Sequence, residues 1–62
     1  MYKLKIDVIG KDGLTTTHDG TLRFHGLDEA MEAAQAARNA LYDDYSNYQN
    51  KGFTVDIVPA NA

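Results

Sequence analysis

Between Leu27 and Tyr48 apolar residues recur at Leu27, Ala30, Met31, Ala34, Ala37, Leu41, Tyr45 and Tyr48, the spacing of one helix face. Glu32, Gln35, Asn39, Asp43 and Ser46 fill the opposite arc. An element of about 20 residues is roughly 30 Å long. In a chain of 62 residues it must lie on something built from the remaining two-thirds. Gly26-Leu27-Asp28-Glu29 reads as a capping box with Gly in the N-cap place, and its acids suit the positive end of the helix dipole. The helix is expected to end near Asn47 to Asn50, with Lys51-Gly52 as its stop signal.

The flanking segments carry the period of strands. Tyr2, Leu4, Ile6 and Val8 alternate with Lys3, Lys5 and Asp7, predicting a half-buried strand from Tyr2 to Ile9. Gly10-Lys11-Asp12-Gly13 has turn chemistry. A second strand is expected over about Leu14 to His25, with Leu14, Leu22 and Phe24 on the core face. His18-Asp19-Gly20 interrupts it, either as a bulge or break or as a short extra hairpin. Phe53 to Val58 alternates again, and Pro59 ends that strand, leaving 59–62 as a frayed tail of a single domain 1–62. The fold class is therefore α+β with order ββαβ. It is a three-stranded antiparallel sheet, strand order 2-1-3, with one long helix on one face and a right-handed crossover. The other face, bearing Lys3, Lys5, Asp7, Thr15, Thr17, Thr21, Arg23, His25, Thr54 and Asp56, meets solvent or a partner. Both outer strands have free edges.

Composition narrows the function classes. The chain has no cysteine, so neither a disulfide nor a thiolate-bound metal reinforces so small a core. The charged start MYKLKIDVIGKDG lacks the apolar run of a signal peptide, and no stretch approaches the roughly 20 apolar residues of a membrane span. The expectation is a soluble cytoplasmic domain. Nine acidic residues against six basic give a formal charge of -3, which disfavours phosphate backbones and suits a basic protein surface.

Catalytic patterns are sparse. His18, Asp19 and His25 can approach one hairpin end, but no third well-placed metal ligand accompanies them. Ser46 is the only serine and lies on the polar arc of the helix, far in sequence from either histidine. Gly10, Gly13 and Gly20 sit in turns and do not open a helix, so no phosphate-binding loop is present. The reading is a non-enzyme without metal or cofactor. Lys3, Lys5, Arg23 and His25 form a cationic patch diluted by Asp7 and Asp56, without aromatics to stack on bases, so nucleic acid is not the expected partner.

The most informative segment is Tyr42-Asp43-Asp44-Tyr45-Ser46-Asn47-Tyr48. Tyr45 and Tyr48 continue the core stripe, and they are left partly exposed if the helix end overhangs the sheet. Tyr42 lies off the stripe's centre and should be accessible. Tyrosines give large contact area at low entropy cost, and Asp43 and Asp44 attract a basic partner. Tyr42, Asp43, Asp44, Tyr45 and Tyr48 are thus the expected partner-binding residues. The structural alternative is that the tyrosines only close the core, with hydroxyls in water. Ala33, Ala36, Ala37 and Ala40 form a small-residue strip that would let a second helix approach, the route to a homodimer.

Leu27-Asp28-Glu29-Ala30 at the start of the helix and Gly52-Phe53-Thr54-Val55 at the start of the last strand resemble the small T7-type phage inhibitors of bacterial RNA polymerase. The likeness covers the second half of the chain and the ββαβ order. This chain departs from them in its longer helix and in Asp56, Ile57 and Pro59, where those inhibitors are rich in arginine. The hairpin and Leu-Asp-Glu-Ala helix also look like HicB-type antitoxin domains, without their Pro-Gly-Cys stretch. What both resemblances imply is a phage or bacterial protein that inhibits a macromolecule by occupying its surface. The expected target is a host or defence protein with a basic, nucleic-acid-handling surface. The alternative is a homodimeric structural or antitoxin-like module, pairing through the open sheet face or the alanine strip.

Overall fold

A computed structural model describes residues 1–60. The order is β1 (Tyr2–Ile9), β2 (Thr15–Asp19), α1 (Leu27–Ser46) and β3 (Gly52–Pro59). The sheet is antiparallel in order β2-β1-β3, with the helix on one face. This is the expected architecture. Its body is a slab of 35 × 19 × 12 Å.

The first hairpin is fixed by turn chemistry. Gly13 N–H donates to the Gly10 carbonyl (2.9 Å), Gly10 N–H to the Leu14 carbonyl (2.8 Å), and the Asp12 side chain accepts from Leu14 N–H (3.0 Å). Gly13 sits at φ 85°, the left-handed residue that follows a type I turn in a three-residue hairpin loop. That closure sets the register Ile9↔Thr15 through Lys5↔Asp19.

The second strand is shorter than expected. After Asp19 the chain leaves the ladder, and Phe24 rejoins it by exchanging both main-chain hydrogen bonds with Tyr2 (2.8 and 2.9 Å). Gly20 stays against β1, donating to the Leu4 carbonyl at 2.8 Å. A Cβ there would meet that same oxygen at 2.8 Å, so the break is built around a residue without a side chain. Arg23 folds back on this loop and donates to the carbonyls of Gly20 and Leu22. Leu14 and Leu22, expected in the core, are 69% and 70% exposed. The cause is that α1 packs on β1 and β3 and makes no contact with β2.

The helix seam is made of alanine. Ala30 and Ala34 are fully buried, Ala33, Ala37 and Leu41 half-buried, and Val55 is the buried strand residue beneath them. Leu27 and Met31, expected in the stripe, are exposed. Met31 lies about a quarter-turn from the Ala30-Ala34-Ala37-Leu41 line, and Leu27 overhangs the helix start. Ala30 N–H closes the first turn on the Gly26 carbonyl at 3.2 Å, but among the described residues no side chain caps that end, in contrast to the expected capping box. Arg38 reaches over the sheet and donates to the Val55 carbonyl at 2.9 Å.

The open sheet face satisfies itself. Asp7 accepts hydroxyl hydrogen bonds from Thr17 (2.6 Å) and Thr54 (3.4 Å), and Lys3 pairs with Asp19 at 3.1 Å. With Lys3 so engaged and Arg23 turned to the loop, the expected cationic patch is dispersed. At the C-terminus, Pro59 closes β3, and Ala60 is buried with its N–H on the Met1 carbonyl (2.9 Å). The expected fraying therefore does not include these two residues, and Asn61 and Ala62 lie outside the described residues.

Candidate functional site

The helix C-terminus departs from what its own stability would select. The helix ends in a Schellman motif: Gln49 N–H donates to the Asp44 carbonyl (2.8 Å) and Tyr48 N–H to the Tyr45 carbonyl (3.1 Å). The residue in the left-handed position of that motif is Tyr48, at φ 60°. Glycine takes this place in most helices, because a Cβ there crowds the backbone at a cost of about 1–2 kcal/mol. Nothing in the packing repays that cost, since Tyr48 is 86% exposed. The last turn also carries Asp43 and Asp44 and no basic residue, placing two negative charges at the negative end of the helix dipole. Two local preferences are broken within six residues.

Tyr42 and Tyr45, one turn apart, stand with ring centroids 6.2 Å apart and planes tilted by 39°, an aromatic pair left open to solvent. Tyr45 and Tyr48, with Ser46, Asn50 and Lys51, line a shallow depression of about 450 Å³. Asn50 is its floor. It is only 7% exposed, and its amide donates to the Leu41 carbonyl at 3.2 Å, tying the returning chain under the helix. Among the described residues its Oδ1 is buried without a partner, an acceptor left unsatisfied. Lys51 then hands the chain to the sheet through its N–H on the Ile9 carbonyl (2.8 Å).

The structure thus brings Tyr42, Tyr45 and Tyr48 into one exposed aromatic surface. Asp43 and Asp44 do not join it directly. At about 100° per residue Asp43 falls beyond Tyr42 and Asp44 behind Tyr45, so the carboxylates flank the tyrosines. Asn50 and Lys51 are additions that the helical spacing did not reveal, and Ser46, read as polar-arc surface, joins them in the depression. Asn50 read only as a limit of the helix end and Lys51-Gly52 only as a stop signal, because the return of Asn50 beneath Leu41 is a tertiary contact.

The histidines fare differently. His18 pairs with Ile6 on the helix side of the sheet, while Asp19 pairs with Lys5 on the open side. Neighbouring strand residues point to opposite faces, so this pair cannot share a ligand. No cluster of three potential metal-ligating side chains occurs among the described residues, and no helix there is long and apolar enough to cross a membrane. The alanine strip is split, with Ala33 and Ala37 turned toward the sheet and Ala36 and Ala40 exposed. No known protein family, curated protein or solved structure matches the chain.

Proposed function

We propose that this protein is a non-catalytic binding module that docks on another protein through the tyrosine-bearing C-terminal end of α1. The observation that carries this reading is Tyr48, strained at φ 60° yet almost wholly exposed. A residue that costs the fold stability and contributes no packing is selected for something outside the fold. The adjacent Tyr42–Tyr45 pair supplies rigid contact area, and Asp43 and Asp44 supply charge of the sign that a basic partner attracts. The formal charge of -3 acts in the same direction.

The partner class follows from that chemistry. An acidic, aromatic surface competes for grooves built to hold phosphates, so the target is a nucleic-acid-handling protein with a basic surface. The resemblance to small phage inhibitors supports a phage-encoded inhibitor acting on such a host protein in the bacterial cytoplasm. Its action requires no cofactor and no contact with nucleic acid or membrane.

The test is capture from bacterial lysate with the tagged chain, run beside Tyr48→Gly and the double variant Asp43→Asn, Asp44→Asn. The expected result is one stoichiometric basic protein held by the wild type and lost by both variants. A partner retained equally by all three would remove the helix end from the interaction.

A further inference from the structure

The two edges of the sheet are unlike. Ala60 N–H bonds the Met1 carbonyl and Gly20 N–H bonds the Leu4 carbonyl. By the alternation of an antiparallel ladder, Phe53, Val55 and Ile57 then turn their main-chain groups to the outer edge of β3, and Thr15, Thr17 and Asp19 to that of β2. On β3 the Val55 carbonyl is occupied by Arg38 and the strand ends in Pro59, two of the devices that close an edge. On β2 every residue is exposed, and α1 does not reach it. Beside β2, on the helix side, an apolar groove of about 410 Å³ is lined by Leu4, Ile6, Gly20, Leu22, Ala33 and Ala36.

We infer that β2 pairs antiparallel with β2 of a second copy about a two-fold axis at Thr17, and that each Leu14 fills the partner's groove. The register is self-complementary. Centring on Thr17 is the one choice that pairs all five residues of each strand. It sets Thr15 opposite the partner's Asp19, a hydroxyl against a carboxylate, and Thr16 opposite the partner's His18, so no like charges face each other. One step further out, Leu14 stands opposite the partner's Gly20. Leu14 pairs with Gly10 in its own hairpin, which puts its side chain on the helix side, where the groove lies. Gly20 has no side chain to block it, and Leu4 is the next residue across the sheet. An exposed leucine thus meets an apolar hollow whose rim lacks a side chain. The monomer has surface to lose: it exposes 4446 Å², where a compact chain of 6.8 kDa exposes about 4,000 Å². Two five-residue strand edges and two leucines make an interface smaller than the roughly 1,200–2,000 Å² of stable complexes, so association is expected to be weak and concentration-dependent. This inference does not rest on the helix-end reading, because the tyrosines take no part in it.

Sedimentation velocity from micromolar to near-millimolar concentration tests it on the full chain. Wild type should pass from monomer to dimer. Leu14→Asp, which alters a side chain exposed in the monomer, should remain monomeric with unchanged circular dichroism, and Thr17→Lys should do the same by placing two ammonium groups on the axis. Tyr48→Gly should dimerise as wild type does. Because the chain has no cysteine, Thr17→Cys oxidised with diamide should give a covalent dimer, the paired Cα atoms being about 5.5 Å apart. A wild type that stays monomeric throughout, or a Leu14→Asp that dimerises equally, overturns the inference.

Discussion

The middle of α1 and its C-terminal end obey different rules. In the middle, Ala30 and Ala34 lie fully buried over Val55, and small side chains let helix and sheet approach closely. At the end, a tyrosine occupies a glycine position and two aspartates oppose the dipole. The first region is what an economical fold selects. The second subtracts from the stability the first provides. In a chain of this size, whose total stability is about 3–9 kcal/mol, that subtraction is not negligible. On the proposed reading the middle of the helix supplies stability and its end gives some of it up for binding, so substitutions of Tyr48, Asp43 and Asp44 should move the two in opposite directions.

The largest effect is expected where the seam is tightest. Ala34→Leu forces added methylenes between helix and sheet and should cost about 2–3 kcal/mol, read as a lower midpoint in urea. A neutral result would mean that the seam is loosely packed, and the contrast would lose one side. Next in size is Tyr48→Gly, which should raise stability by about 1 kcal/mol by relieving the left-handed strain. Smaller again, Asp43→Asn and Asp44→Asn should each stabilise by a few tenths of a kcal/mol through the dipole, while weakening partner binding and flattening its salt dependence. Tyr42→Ala should change stability least, by less than about 0.5 kcal/mol, and should still reduce affinity. A Tyr42→Ala variant that unfolds would place that ring in the core and not on the surface.

Much of the fold was legible because each element announces its period. Tyr2 to Ile9 and Phe53 to Val58 alternate, and the alanine-rich stripe repeats at helical spacing. The second strand was less so. Leu14 and Leu22 fit a core pattern, but burial depends on which strands the helix covers, and α1 lies over β1 and β3. The break at Gly20 depends on contact with Leu4, which is distant in sequence. The helix end near Asn47 was legible, but its stop residues were not, for a related reason. Glycine is the usual residue after a helix, so Lys51-Gly52 read as the stop, whereas Asn47 and Tyr48 form the cap. At the site, the three tyrosines were legible as an accessible cluster. Asn50 and Lys51 were not, since only the folded chain brings them under Leu41 and beside Tyr45.

The central claim is that Tyr48 serves a partner at the fold's expense. Its most direct test is isothermal titration of the captured partner with wild type and Tyr48→Gly, on samples whose urea midpoints are also measured. The account predicts a variant that is more stable and binds at least about tenfold more weakly, a loss of about 1.4 kcal/mol or more. Equal affinity in a stabilised variant would contradict it, leaving Tyr48 as a strained residue with no role in binding.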